Sequence, residues 1–449
     1  MSGIFIKPTV AEQFRAFLAR GRVLFFSAPC GCGKTALAEE LLKGKAVYRL
    51  FAGEADFAFP QEEGWDILLI EDFQRLQEDA EQKALCEWIR NYPEKRFVLL
   101  SRGTPPGYLM AFQYAGLMQV LDTYALLFDR EETRSFFQEK GVKITDSELT
   151  KIMELTSGFP LGIAITARNM AQGRPLSSEL VAQGFREVFH YFETAVYRQF
   201  DLPVRRFLLE LSLFESFDLE MVRMVSGDPR AGELLDWLQH NTTMMRYDGI
   251  QKFHFWSQFR EFLLWEMGRE YSEEKRRILF NRGGLYYELK EEYPHALDCY
   301  TKGGDYAKVS ELLTRNAEQH PGMGHYYELE KYYRGLPESE ILASPALMQG
   351  MSMLCSLEAD YDASERWYEE LKQFAHRCGK QDAAGKQARS RLAWLDISLP
   401  QRAVEKLTDT IPAVFQLMRN KEITLPPFSV TSTLPSIMNG GKDFSAWSK

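Results

Sequence analysis

SAPCGCGKTALAEELL, from Ser27 to Leu42, is the stretch that decides the fold of the first part of this chain. It follows the apolar run RVLFF at 22–26, which predicts a buried strand, and it ends in residues typical of a helix. The residues from Ala28 to Thr35 fit the phosphate-loop pattern, with alanine where the first glycine usually stands. Backbone N–H groups of such a loop bind phosphate oxygens, as does the start of the helix that follows. A strand, a small-residue loop and a helix in this order therefore predict a nucleotide-binding α/β domain.

Two residues of the loop have side chains suited to a nucleotide. Lys34 is expected to bridge the β- and γ-phosphates, and the hydroxyl of Thr35 to ligate Mg²⁺, so the predicted cofactors are ATP or ADP with Mg²⁺. A C-x-C pair alone is a poor metal site, so both cysteines are interpreted as small loop residues. The alternative is a chance glycine-rich turn. The predicted cofactor-binding residues of this stretch are Ala28, Pro29, Cys30, Gly31, Cys32, Gly33, Lys34, Thr35 and Ala36.

Two further strand ends carry charged residues that fit such a site. DILLIEDF is an apolar strand that ends in Glu71 and Asp72. One carboxylate there can hold Mg²⁺ through water and the other can polarise an attacking water, and which residue takes which role stays open. The alternative is an ordinary acidic junction. FVLLSR places Arg102 at another strand end, where it either contacts the γ-phosphate or lies on the surface. The predicted catalytic residues are thus Glu71, Asp72 and Arg102, and the predicted Mg²⁺ ligands are Thr35, Glu71 and Asp72.

The composition limits the class of protein. A length of 449 residues is too great for one core and predicts roughly two to four domains. A net charge of −9 gives no overall basic surface for nucleic acid. The six cysteines show no CxxC spacing, which favours reduced thiols. The N-terminus lacks a signal-peptide pattern, and no run approaches the roughly 20 apolar residues of a membrane span. We therefore expect a cytoplasmic protein with no membrane partner.

Short apolar runs alternate with helical periodicity in the first part of the chain, which is the pattern of a parallel α/β sheet. Such runs suit strands that are covered on both faces. Helices are expected between them at Thr35–Lys43 and Asp79–Arg90. The predicted strands are Arg22–Phe26, Ala46–Phe51, Ile67–Ile70 and Phe97–Leu100. The sequence thus predicts a P-loop NTPase core over residues 1–128.

Two smaller domains are expected after the core. A capping box, formed by Asp129 and Glu132, begins a helical lid at 129–184. Over 185–268, helical patterns precede two strand-like runs separated by Asp248-Gly249, which is a two-residue hairpin signal. Helices followed by a hairpin predict a winged-helix domain.

The remainder of the chain has a helical pattern with weak internal similarity. KGGDYAKVSELL and EADYDASERWYEEL resemble each other, which predicts TPR-like helical repeats over 269–425. The segment 426–449 is rich in Pro, Gly and Ser, and we expect an irregular tail at which a longer protein is truncated. The predicted fold class is therefore multidomain, with an α/β P-loop NTPase core and helical lid, a winged-helix module and all-α repeats.

Taken in this order, the elements resemble the STAND-class signalling ATPases, specifically the MalT-like large LuxR-type regulators. The matching pieces are SAPCGCGKT, LLIEDF, VLLSR, LLFDREETRSFF and TSGFPLGIAI, followed by the winged-helix and repeat patterns. The phosphate loop is common to NTPases. The combination of LSR, an LxFxxEE helix start and SGFPL is what points to this class.

The resemblance implies that the nucleotide lies between the core, the lid and the winged helix. It implies that ATP with an inducer favours an open, self-associating form, that ADP holds a closed monomer, and that the repeats sense a small-molecule or protein inducer. The implied roles are phosphate and Mg²⁺ binding for Lys34 and Thr35, the Walker B pair for Glu71 and Asp72, a sensor for Arg102 and an adenine contact for Pro160.

The chain departs from the family in several places. About 30 residues separate the phosphate loop from DILLIEDF, so we expect a strand–helix unit to be missing from the core. The Walker B pair begins with Glu71 instead of aspartate, which leaves hydrolysis open. Lys7-Pro8 stands where relatives have Arg-Pro, and His254 is offset from the usual histidine and is interpreted as a packed residue. No helix-turn-helix pattern is visible, so DNA binding is expected only through a segment absent from this chain.

Three functions are compatible with these patterns. The leading hypothesis is an ATP-controlled signalling switch that hydrolyses slowly, because the bound state and not turnover is its output. The second is a P-loop kinase or other phosphotransferase that acts on a small molecule, against which the repeats argue. The third is a repeat scaffold with a structural nucleotide site, against which the intact Lys34 and Thr35 argue.

Overall fold

The structure is a computed structural model that describes residues 4–54, 57–60, 64–319, 326–379, 382–399, 401–402, 414–415 and 418–419. The chain forms two compact units, Met1–Tyr271 and Ser272–Lys449. The predicted irregular tail at 426–449 lies outside the described residues. Within the described part of the chain, no helix has the length and apolar character needed to cross a membrane.

The described part of the first unit contains a five-stranded parallel sheet with the order β2-β3-β4-β1-β5. Its strands are β1 (Val23–Ser27), β2 (Val47–Phe51), β3 (Ile67–Glu71), β4 (Arg96–Ser101) and β5 (Met118–Asp122). Every residue of β1 and β3 is buried, as expected for strands covered on both faces. The surrounding helices are α1 (Pro8–Arg20), α2 (Lys34–Leu41), α3 (Asp79–Asn91), α4 (Met110–Tyr114) and α5 (Thr123–Leu126). The predicted α/β core is therefore present.

The sheet contains one strand that was not predicted. The predicted strand at 46–51 is present as β2, which pairs in parallel with β3, with Phe51 opposite Glu71. The spacing is short because the described residues of the connection from β2 to β3 contain no helix. The strand β5 was not predicted, since its residues MQVLD are only partly buried and lack a continuous apolar run.

A helical lid follows the sheet. Its helices are α6 (Arg130–Glu139), α7 (Asp146–Thr156) and α8 (Pro160–Ala171). The predicted capping box is present, because the Asp129 carboxylate accepts from the Glu132 N–H at 2.8 Å and the Glu132 carboxylate accepts from the Asp129 N–H at 2.9 Å. Gly158, with φ of +77°, makes the turn between α7 and α8, and its carbonyl accepts from Phe128 N–H at 2.8 Å. This hydrogen bond fixes the start of α8 beside the core.

The long helix α9 (Ser178–Ala195) lies between the lid and the winged-helix part of the first unit. The winged-helix part contains α10 (Leu202–Ser212), α11 (Leu219–Ser226), α12 (Ala231–Asn241), β6 (Met245–Tyr247), β7 (Phe253–Phe255) and α13 (Ser257–Glu270). The β6–β7 hairpin is antiparallel, as predicted.

The turn of this hairpin is longer than the two residues expected. Tyr247 pairs with Phe253, so five residues, 248–252, form the loop. The Asp248 carboxylate stabilises this longer loop by accepting from the N–H groups of Ile250 and Lys252 at 2.8 and 3.1 Å.

The second unit is helical in its described residues. Its helices are α14 (Glu273–Leu289), α15 (Tyr293–Gly303), α16 (Tyr306–Gln319), α17 (Glu330–Gly335), α18 (Glu338–Ala343), α19 (Pro345–Leu357), α20 (Tyr361–Arg377) and α21 (Ala383–Ser398). Consecutive helices pack on each other, as α14 does on α15 and α19 on α20. A Cβ on Gly284 would lie 2.7 Å from the Tyr300 ring, so glycine is needed for the close approach of α14 and α15. Sequential packing of this kind fits the predicted helical repeats.

Candidate nucleotide-binding site

The phosphate loop connects the buried strand β1 to the start of α2. Two of its glycines have left-handed backbones, with φ of +92° at Gly31 and +76° at Gly33. The Gly31 carbonyl accepts from Leu161 N–H at 3.1 Å, and a Cβ on Gly31 would lie 2.9 Å from the Phe159 ring. The loop therefore fits closely against the first turn of α8, and glycine is required there for both its φ and its size.

Lys34 is the first residue of α2, and its side chain packs against the phosphate loop that precedes it. Its Nζ donates to the carbonyls of Ala28 and Pro29 at 2.6 and 3.0 Å. Burial of the ammonium lowers the pKa of Lys34. The residues that the structure describes provide no carboxylate in an ion pair with it. A partly buried cation that has only carbonyl partners among the described residues fits an anionic ligand such as a polyphosphate.

Glu71 connects Thr35 to the edge of the sheet. Its Oε2 accepts from the Thr35 hydroxyl at 3.0 Å, and its Oε1 accepts from the guanidinium of Arg49 on β2. Glu71 is buried. The hydroxyl and carboxylate oxygens of this group are ligands of the type that Mg²⁺ prefers, directly or through water. The predicted Mg²⁺-binding residues therefore fit the ion in their chemistry.

Asp72 and Arg102 form a second ion pair beside this group. The Asp72 Oδ1 lies 3.3 Å from Arg102 Nη2 and accepts from Gln74 Nε2 at 3.1 Å. Asp72 has a left-handed backbone with φ of +48°, which is uncommon for a residue other than glycine. Arg102 also donates to the carbonyl of Ala195, the last residue of α9, at 2.8 Å. The predicted sensor arginine thus connects the second carboxylate to the end of α9, the helix before the winged-helix part.

A cavity of about 990 Å³ brings the predicted site residues together. The predicted residues that line it are Cys30, Gly31, Cys32, Gly33, Lys34, Thr35, Ala36, Glu71, Asp72, Arg102 and Pro160. Ala28 and Pro29 are not among the residues lining it, and their carbonyls accept from Lys34 instead. His254 lies on β7, where Nδ1 is 3.2 Å from the Glu215 carbonyl and Nε2 is 3.6 Å from an Asp248 carboxylate oxygen. It does not line the cavity, and its side chain is partly exposed.

Part of the lining of this cavity is aromatic. Phe5, Phe128 and Phe136 line it and pack on one another with ring centroids 5.3 to 6.0 Å apart. Pro160 and Leu161 at the start of α8 contribute further apolar surface. An apolar compartment beside a phosphate loop suits a nucleotide base. The pattern FDREETRSFF predicts a helix start but does not indicate that Phe128 and Phe136 line this cavity.

Three other residues of the site were not identified from the sequence. Arg49 contacts Glu71, and Tyr191 on α9 has its hydroxyl 3.0 Å from Cys30 Sγ in the loop. Lys7 Nζ donates to the Leu127 carbonyl at 2.5 Å and lies 3.0 Å from a Glu132 carboxylate oxygen. In the sequence, Lys7 is distinguished only by standing where the family has arginine, and its basic side chain is the one feature that indicates a role at the site.

Burial also determines the state of one loop cysteine. It raises the pKa of Cys32 to about 12, so this thiol is neutral at physiological pH. A neutral buried thiol is a small apolar group, since the thiolate is the form that binds metals and reacts as a nucleophile. The interpretation of Cys32 as a small loop residue is consistent with this.

Comparisons with known proteins agree with the order of these elements. Residues 193–275 match the MalT winged helix domain family. The HTH-type transcriptional regulator MalT of Vibrio campbellii is 23% identical over 70% of this chain and 35% of its own length. MalT of Yersinia enterocolitica is 23% identical over 63% of this chain and 32% of its own length. The chain thus spans about a third of the length of these relatives.

Two solved structures show more distant likeness. A Walker-type ATPase of Pyrococcus abyssi has a TM-score of 0.46 and 12% identity, covering 58% of this chain and 96% of that one. A STAND protein with a tetratricopeptide repeat sensor from Pyrococcus horikoshii has a TM-score of 0.33 and 17% identity, covering 92% of this chain and 65% of that one. The comparisons confirm the predicted resemblance to the MalT-like regulators: this chain is similar to MalT, and its residues 193–275 match the MalT winged helix domain.

Proposed function

We propose that this chain is the nucleotide-controlled part of a MalT-like regulator, which binds ATP or ADP with Mg²⁺ and whose bound state is its output. The observation that carries the proposal is the partly buried Lys34 ammonium, which has two carbonyl partners and lies in the same cavity as Thr35 and Glu71. Polyphosphate is the ligand class that supplies the missing negative charge.

Each part of the cavity has a role in this proposal. Lys34 and the N–H groups of the loop bind the phosphates, while the aromatic compartment around Phe5 and Phe128 takes the base, with Pro160 beside it. Thr35 and Glu71 hold Mg²⁺, which neutralises phosphate charge when it is bound. Asp72 orients a water and Arg102 contacts the terminal phosphate after leaving Asp72. Both carboxylates are paired with arginines, which supports slow hydrolysis.

The helix α9 is the proposed connection between the nucleotide and the winged helix. Tyr191 of α9 contacts Cys30 of the phosphate loop. At the end of α9, the Ala195 carbonyl accepts a hydrogen bond from Arg102. A γ-phosphate that attracts Arg102 competes with the hydrogen bond between Arg102 and the Ala195 carbonyl. Because only ATP has this phosphate, ATP and ADP favour different positions of α9. Self-association in the ATP form, an inducer on the repeats and DNA binding by a segment outside this chain complete the proposal.

Replacement of Lys34 by alanine tests the proposal in the full chain. Loss of charge-assisted hydrogen bonds to phosphate is expected to weaken ATP and ADP affinity roughly 10- to 100-fold, measured by titration of a fluorescent nucleotide. Lys43→Ala is the matched control, because Lys43 is exposed and pairs only with Glu40 among the contacts that the structure describes. Its affinity is expected to equal that of the wild type.

Equal affinity of the Lys34→Ala and wild-type chains would show that the loop does not bind nucleotide. Light scattering on the same samples distinguishes the remaining functions. ATP-dependent assembly with slow phosphate release supports the switch. Rapid phosphate transfer to a small molecule without any change of mass would support a phosphotransferase instead.

A further inference from the structure

Arg49 lies on β2, the strand at one edge of the sheet. Tyr48 and Leu50 pack on the core cluster of the sheet, so the alternation of a strand places Arg49 and Phe51 on the other face. The Arg49 guanidinium lies 5.2 Å from the centroid of the Phe51 ring. This orientation directs Arg49 across the face on which α2 carries Glu39.

The Arg49 guanidinium contacts two acidic residues at once. Its Nε and Nη2 both contact Glu71 Oε1, while Nη1 donates to Glu39 Oε1 at 3.0 Å. The side chain of Arg49 is 39% exposed, whereas that of Glu71 is 11% exposed. Arg49 is therefore the cation that neutralises a buried carboxylate from the solvent side.

The two oxygens of Glu71 have different partners. Oε2 accepts from Thr35, the proposed Mg²⁺ ligand, and Oε1 is bound by Arg49. A guanidinium remains charged at every physiological pH. An ion that approaches Thr35 and Glu71 thus meets a carboxylate whose charge is already compensated, and it is repelled by the arginine behind it.

We propose that Arg49 is a positioning residue that holds Glu71 in place without metal and thereby raises the Mg²⁺ concentration that nucleotide binding requires. The proposal rests on the function proposed above. Arg49 makes the metal-free site stable, because a buried carboxylate without a partner is costly. It weakens Mg²⁺ binding, because two cations share one carboxylate.

The test is the Mg²⁺ dependence of fluorescent ADP binding to the full chain, without reference to turnover. Arg49→Gln is expected to lower the half-saturating free Mg²⁺ roughly three- to tenfold, since it removes one repulsive charge near the ion. Arg49→Lys keeps the charge and is expected to stay within about twofold of the wild type. Glu39→Gln is the matched control, because it removes the other acidic partner of Arg49 and leaves Glu71 paired. If the Arg49→Gln variant does not fold, Arg49→Met is used instead, because methionine removes the charge but keeps an apolar side chain of similar length.

An unchanged or increased Mg²⁺ requirement in the charge-removing variant would overturn the inference, as would a wild type whose ADP affinity is the same with Mg²⁺ and with EDTA. ADP affinity in EDTA separates this outcome from failure of the proposed function. If wild type binds ADP and Lys34→Ala does not, the nucleotide site stands and only the role of Arg49 is rejected. If the two bind equally, both proposals are rejected.

Discussion

At the scale of single residues, the sequence predicts those parts of the site whose geometry is local. Lys34 and Thr35 are placed by the loop and the first turn of α2, so their spacing is enough to identify them. Arg49, Tyr191 and Lys7 bind partners 22, 161 and 120 residues away. Nothing in a local pattern encodes such contacts, because they depend on which strand and helix become neighbours in the fold.

Gly31 gives a prediction at this scale, with Gly44 as its matched control. Both have left-handed backbones, with φ of +92° and +76°, so alanine costs roughly 1–2 kcal/mol at either position. Only at Gly31 would the added Cβ also meet a ring, that of Phe159, whereas nothing lies within 4 Å at Gly44. Gly31→Ala is expected to lower the melting temperature more than Gly44→Ala and to weaken ADP binding, as measured by calorimetry and fluorescence titration. Equal losses in the two variants would contradict the close fit of the loop against α8.

At the scale of elements, the apolar runs predict strands and the caps predict helix starts. The predicted Ile67–Ile70 and Phe97–Leu100 each lie within an observed strand, and Asp79–Arg90 lies within α3. The strand β5 was not predicted because hydrogen bonds to β1 stabilise it more than its own apolar content does. The hairpin loop is longer than predicted because Asp248 binds backbone N–H groups inside it. Both differences arise from hydrogen bonds that hydrophobic patterns do not report.

Two aspartates at helix starts of the winged-helix part give a prediction for elements. Asp218 accepts from Met221 N–H at 2.8 Å and caps α11, whereas Asp201 precedes α10 without a side-chain cap bond. Asp218→Ala is expected to destabilise the chain by about 1 kcal/mol, as for other N-caps. Asp201→Ala is expected to have a much smaller effect. Melting temperatures measured by calorimetry would distinguish the two, and a larger loss for Asp201→Ala would show that the cap bond does not matter.

At the scale of the whole molecule, motif order predicts an α/β core, a helical lid, a winged helix and repeats in sequence, and the observed fold class agrees. How the parts of the first unit touch was not predictable. Gly103, just beyond β4, approaches α12 so closely that a Cβ would lie 2.5 Å from the His240 carbonyl. The sequence around Gly103 contains no feature that identifies α12 as its neighbour.

This contact allows a test of how the core and the winged-helix part are joined. Gly103→Ala is expected to separate α12 from the end of β4, because a carbonyl oxygen cannot yield as a flexible side chain does. Faster proteolysis in the winged-helix part and a lower melting temperature are the expected results. Gly107→Ala is the control, since nothing lies within 4 Å of its added Cβ. Identical proteolysis of both variants would mean that this contact does not hold the two parts together.

The sheet order also has an evolutionary consequence. The strand before the phosphate loop, β1, pairs with β4 and β5, whereas β2 has β3 as its one neighbour among the strands of the described residues. A substitution in β1 disturbs packing on two sides, and one in β2 disturbs a single neighbour. A lineage can therefore exchange Arg49 with disturbance of a single neighbouring strand while the loop stays fixed, provided that Glu71 keeps a partner. Within such a lineage, the metal requirement of the switch is a trait that selection can adjust separately from the ability to bind nucleotide.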